Sequence, residues 1–182
     1  MKTNRALTKF LAAIDFLSTA GMYISGIGIS CMAMFITLEI ADRHLFGHSL
    51  LIVDEWSGYL LVIVTFLGLA YTMKTNGFLQ IEFFLNRLSL RSRRVFHFAL
   101  VLLALLYAVL IDYRLMLYAW SSYVTGQVSI SISQTPLYIP QLFMPLGMSV
   151  LVLELLREGI RSVLALLEPG NPNGQARRDR IP

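Results

Sequence analysis

Polar and apolar residues follow one another along this chain in blocks rather than in alternation. Four stretches carry no charged side chain: Phe16 to Leu38, Trp56 to Met73, Val95 to Ile111 and Leu137 to Leu153. At about 1.5 Å rise per residue each gives roughly 25–35 Å of helix, close to the thickness of a bilayer core. A membrane-spanning strand would need only about ten residues and would alternate in polarity, and these runs do not alternate. Inside lipid each backbone N–H must bond within its own segment, so the pattern predicts four transmembrane helices, over 16–38, 56–73, 95–111 and 137–153. The segment 77–92 is different. Phe78, Ile81, Leu85 and Leu88 fall on one helical face, with Glu82, Asn86 and Ser89 on another. It is too charged to span and reads as an amphipathic helix in the cytoplasmic interface. The expected fold is an all-α integral membrane protein, with one four-helix domain over residues 1–168. The tail 169–182 has the Pro, Gly and Arg content of a flexible end.

Composition agrees with a membrane protein. Hydrophobic residues make up 56% of the chain and charged residues only 14%, against about a quarter in a soluble domain. The net charge of +4 does not point to nucleic acid, because the basic residues sit between apolar runs and form no single patch; lipids are the expected contact. All of the 15 Lys and Arg residues except Arg43 and Arg114 fall in segments 1–15, 74–94 and 154–182. That asymmetry predicts cytoplasmic termini and outer loops at 39–55 and 112–136. The first run exceeds the 7–15 or so residues of a signal-peptide core, and no small-x-small site closes it, so it is expected to be retained. Cys31 is the only cysteine, which rules out an internal disulfide and a cysteine-based metal cluster.

Within this frame a few residues stand out. Ser18, Gly21, Ser25 and Gly28 recur every three or four positions, and Gly26, Ser30 and Ala33 form a second small stripe. Small residues let helices approach closely in lipid, where packing drives association, so the first set is expected to be a helix-packing face. Glu39 and Arg43 stand i to i+4 and can pair, and Gly47 suits a helix C-cap. Asp54 and Glu55 precede a long apolar run, where the exposed N–H groups of a helix start favour a carboxylate. Trp56 and Tyr59 follow at headgroup depth. Asp112 is expected at the outer interface, about 27 Å along the third helix from Arg94. Either Pro136 or Pro140 could open the fourth helix.

The chemistry of catalysis is absent from the pattern. No Ser, Cys or His constellation suggests hydrolysis, and none of the four runs carries a charge near its middle, as an ion- or acid-binding transporter would be expected to. His44, His48 and His97 raise the alternative of a haem-bearing membrane anchor for a redox complex. A haem held by two histidines needs both at one depth, and His97 falls at the opposite surface from the other two. No cofactor, metal or enzymatic activity is expected.

The order of features has a likeness. Residues 38–84, "LEIADRHLFGHSLLIVDEWSGYLLVIVTFLGLAYTMKTNGFLQIEFF", resemble the small, DctQ-like membrane subunit of tripartite ATP-independent periplasmic (TRAP) transporters. The matching points are Arg43 and Phe46 closing helix one, Glu55 opening helix two, Phe66 to Gly68, Lys74 and Gly77. The prolines of "TPLYIPQLFMPLG" continue the resemblance, while Leu79-Gln80-Ile81 stands where the family usually has a His-Ile pair. The resemblance implies a small permease subunit in the bacterial inner membrane that braces a large, many-helix subunit. A periplasmic binding protein would deliver an organic acid: a C4-dicarboxylate, keto acid, sugar acid or sialic acid. Sodium coupling and substrate binding would lie in the large subunit. Glu39, Arg43, Asp54, Glu55, Trp56 and Gly68 would then be structural or subunit-contact residues.

Overall fold

The structure, a computed structural model, describes residues 5–47, 51–75, 90–131 and 133–167. Its helices are α1 (Arg5–Phe46), α2 (Leu51–Lys74), α3 (Leu90–Val124) and α4 (Tyr138–Leu167). Each contains a stretch long and apolar enough to cross a membrane. The interfacial helix expected over 77–92 lies outside the described residues, except that Leu90, Arg91 and Ser92 belong to the start of α3. The tail 169–182 also lies outside them.

The helices outrun the apolar blocks. With 42 residues, α1 is about 63 Å long, twice a bilayer core. Gly47 ends it in the left-handed conformation (φ +70°), with its N–H on the Arg43 carbonyl at 3.2 Å. An L-residue with a Cβ would be strained there, which is why glycine suits this cap. Helix α4 starts at Tyr138, between the two prolines that could have opened it. Pro140 falls in the first turn, where a missing N–H breaks no helical bond. Pro136 instead forms a bridge with Val128 across the loop.

Laterally the helices form an open layer in the order α1, α2, α4, α3, and α1 also touches α4 at one end. Even α2, which has a neighbour on each side, has none of its most apolar stretch buried, whereas α4 has 44% of its stretch buried. The hydrophobic core is accordingly small. It lies along the α3–α4 seam, where Ala108, Met148, Leu151 and Leu155 pack with Leu69 and Met73 of α2.

Glycine sets the closest approaches. A Cβ on Gly21 would stand 2.5 Å from the Leu67 carbonyl oxygen, and one on Gly147 would overlap that of Phe66. Backbone therefore meets backbone between α1 and α2 and between α2 and α4. Dispersion and interhelical hydrogen bonds at such contacts hold helices together in lipid, which supplies little hydrophobic drive. Ser25 adds one such bond, from its hydroxyl to the Val64 carbonyl at 3.0 Å.

The register of α3 departs from expectation. Four antiparallel contacts fix it against α4: Tyr123 with Tyr138, Asp112 with Ser149, Val101 with Gly159, and His97 with Ser162. Ser149 lies about 17 Å along α4 from Tyr138 and about 12 Å from Arg157. Asp112, which accepts the Ser149 hydroxyl at 3.0 Å, therefore stands near mid-height of the layer and not at its outer boundary. Placing each apolar run at the bilayer centre ignores packing. The α3–α4 seam slides the α3 run toward the Arg157 end and carries Asp112 and Arg114 inward. The run 95–111 itself stays free of charge; what the seam changes is the height at which Asp112 and Arg114, just beyond that run, fall in the layer.

Candidate functional site

Polar side chains gather at the two ends of the layer. At one end Asp15 of α1, Lys74 of α2, and Glu154 and Arg157 of α4 meet. Arg157 Nη1 is 2.6 Å from Asp15 Oδ1 and 3.5 Å from Glu154 Oε2. Lys74 Nζ reaches the same Asp15 oxygen at 3.1 Å and the Thr19 hydroxyl at 3.2 Å. The Ser18 hydroxyl lies 2.6 Å from Glu154 Oε1 and 3.0 Å from the Ile14 carbonyl, so its one proton serves either acceptor. The Glu154 side chain is only 3% exposed, so its charge depends on Arg157 and Ser18 for compensation. Two cations and two carboxylates thus balance where three helices converge.

The other end is built differently. Glu55, in the first turns of α2, accepts the Tyr59 hydroxyl at 2.5 Å and the hydroxyls of Ser131 and Ser133 from the α3–α4 loop. The loop supports this contact from within. Ser129 N–H donates to the Thr135 carbonyl at 2.9 Å, and Leu137 N–H to the Gln127 carbonyl at 3.0 Å, giving a hairpin-like shape. The Ser129 and Ser131 hydroxyls lie 2.9 Å apart, and those of Ser133 and Thr135 2.8 Å apart. Glu55 is an ionised acceptor facing a set of neutral donors, an arrangement that holds a loop in place.

The residues singled out in the sequence fall into three groups. Ser18, Gly21, Ser25 and Gly28 lie together on the buried face of α1, against α2 and Glu154, and Gly68 faces Ser25 across that contact. Gly26, of the second small stripe, faces open space, with nothing within 4 Å of the position a Cβ would take. Arg43 pairs with Glu39 at 2.9 Å along α1, and the Glu39 side chain is 7% exposed. Glu39, Arg43 and Asp54 line an open cleft of about 430 Å³ between α1 and α2. Glu55 turns toward the α3–α4 loop instead. Trp56 is exposed and packs edge-on against Tyr59 at 6.4 Å.

Of the histidines, His44 lines the same cleft, while His97 bonds Ser162 at the far end of α3. His48 lies outside the described residues.

Sequence reasoning missed the Asp15–Lys74–Glu154–Arg157 cluster and the serine partners of Glu55. Two signals were present. Glu154 and Arg157 stand i to i+3 just past the fourth apolar run, and Ser129, Ser131 and Ser133 alternate through an otherwise apolar stretch.

A family model described as "Tripartite ATP-independent periplasmic transporters, DctQ component" matches residues 32–165. No curated protein sequence matches the chain.

Proposed function

Since the chain belongs to the DctQ family and is the small permease subunit of a TRAP transporter, a multi-pass membrane protein and not an enzyme, we propose that it braces the large subunit during sodium-driven import of an organic acid. In this reading a periplasmic binding protein delivers a substrate of the C4-dicarboxylate, keto acid, sugar acid or sialic acid class. Substrate and sodium are handled by the large subunit. The Asp15 end faces the cytoplasm with both termini, and the Glu55 end faces the periplasm of a bacterial inner membrane. The distribution of Lys and Arg supports that orientation.

The observation that carries the bracing role is the open layer. Its four helices stand side by side, so both broad faces lack a covering helix among the described residues. A layer with ion pairs between helices at one end and a clasped loop at the other is suited to a fixed wall against which another subunit moves.

The test is reconstitution. In liposomes with a sodium gradient, this chain, the large subunit and the binding protein together should take up an organic acid, and this chain alone should take up none. Uptake by the chain alone would refute the bracing role. Orientation is read separately, by labelling whole cells. A cysteine at Gln127 should react with an impermeant maleimide, and one at Ser92 should react only after lysis. The reverse result would invert the layer in the membrane.

A further inference from the structure

We infer that the large subunit docks along the outer edge of α3 and presents a carboxylate to Arg114 at mid-height of the membrane. This rests on the reading that the chain works in a complex with that subunit, and it adds which edge is covered and by what chemistry.

Helix α3 is the last in the layer and packs mainly on α4. Its inward side is a seam of buried Val101, Ala108, Ala119 and Ser122, and Asp112, half-buried, lies along it. Arg114 lies two positions beyond Asp112, hence about 200° around the helix, and points away from the seam. It is exposed and makes no hydrogen bond or ion pair among the described residues. One turn to either side stand Leu110 and Tyr118, 56% and 53% exposed. The stripe is thus apolar and aromatic, with a single cation in it.

Height decides what that cation means. The Asp112–Ser149 bond places this part of α3 about 12 Å from the level of Arg157 and about 17 Å from that of Tyr138. Those two levels bound roughly 28 Å of α4, about one bilayer core. Arg114 is only about 3 Å nearer the Tyr138 level than Asp112. Charged side chains so deep in a membrane face a protein interior or a counter-charge rather than lipid. Within the described part of this chain the opposite charges near that height are limited to Asp112, which is turned into the seam. A carboxylate on a neighbouring helix meets the requirement. It also fixes the vertical register between two subunits whose remaining contacts are apolar and would otherwise slide.

The competing outcome is an arginine whose stem runs along α3 and whose guanidinium meets lipid phosphate. Two readouts on the co-expressed complex separate the cases. A benzophenone amino acid at Leu110 should cross-link to the large subunit, whereas one at Ile27, on the exposed side of α1, should give lipid adducts. Arg114→Met should lower the large subunit recovered with this chain at least five-fold, and Arg114→Lys should retain most of it. The chain expressed alone should insert at least as well in both variants as in the wild type, because Arg114 makes no hydrogen bond or ion pair within the described part of the chain that either change would break. Wild-type recovery with Arg114→Met, or lipid adducts alone from Leu110, would overturn the inference. Cross-linking through Ile27 and not Leu110 would overturn it while leaving the bracing role intact. Failure of the wild-type chain to recover any large subunit would instead refute that role.

Discussion

The two ends of the layer use opposite solutions to the same problem. At the Asp15 end, charge meets charge: two carboxylates and two cations from three helices compensate one another, and the deepest of them, Glu154, is nearly buried. At the Glu55 end the ion pair, Glu39 with Arg43, stays within α1, and the contact between elements is one carboxylate, Glu55, meeting neutral hydroxyls from a loop. The first arrangement fixes which helices are neighbours, because α1, α2 and α4 each contribute a group that loses its partner if one helix leaves. The second fixes only how a loop lies across the start of α2. Breaking a buried ion pair from one side leaves an uncompensated charge, which is costly. Losing one hydroxyl from a partly exposed carboxylate leaves water to replace it. The Asp15 end is therefore a framework, and the Glu55 end is adjustable.

The sharpest way to break that contrast is at Arg157. Arg157→Met strands Glu154 and leaves Asp15 with Lys74 alone. The expected loss is about 3–5 kcal/mol, as for other buried pairs broken from one side. It should appear as the largest fall in thermal unfolding temperature of any change considered, measured on purified protein in detergent. The double change Arg157→Met with Glu154→Leu should recover much of the loss, because an apolar pair replaces the stranded charge. If the single change is as mild as a surface substitution, the cluster is not a framework.

A lesion between the ends tests whether they are mechanically separate. Gly147→Ala forces a Cβ into the Phe66 carbonyl group, so α2 and α4 must part. Overpacking of this kind costs about 1–3 kcal/mol. Gly26→Ala, where nothing lies within 4 Å, is the matched control and should stay near wild type. Hydrogen exchange should rise on α2 and α4 around the contact while the amides of loop 127–137 remain protected. Loosening of that loop by Gly147→Ala would show that the two ends are coupled through the middle.

What the sequence made legible follows from which forces are local. Each apolar run is a property of its own residues, so four spanning helices could be read directly. Small residues at helical spacing suggested two stripes on α1; Ser18, Gly21, Ser25 and Gly28 lie on its buried face, whereas Gly26 of the second stripe faces open space, so spacing alone does not tell which stripe packs. Register between helices could not be read. It is set where Gly147 meets Phe66 and where Ser149 meets Asp112, and no single segment contains both partners. The same reason hid the ion cluster, since Asp15, Lys74 and Arg157 are far apart in the chain. The Glu39–Arg43 pair could be read because both partners lie one turn apart on α1. Glu55 was found as well, but the serines that face it arrive from the loop after α3 and could not be matched to it from the sequence.

The smallest expected effect lies at Glu55, and it concerns the loop rather than the fold. Glu55→Gln keeps an oxygen acceptor but loses the charge that draws the Ser131 and Ser133 hydroxyls. Ser131→Ala with Ser133→Ala keeps the charge and removes the donors. Both lesions leave the Asp15 cluster and the glycine contacts untouched, so the unfolding temperature should fall by no more than a few degrees. The loop should respond more than the protein does. Amides of residues 127–137 should exchange faster in both variants, because the hairpin-like bonds from Ser129 to Thr135 and from Leu137 to Gln127 lose their anchor on α2. The triple variant should be no worse than either parent, since each removes one side of the same contact. An additive loss would mean that Glu55 and the serines act through separate partners. A global loss as large as that of Arg157→Met would remove the distinction between the two ends altogether.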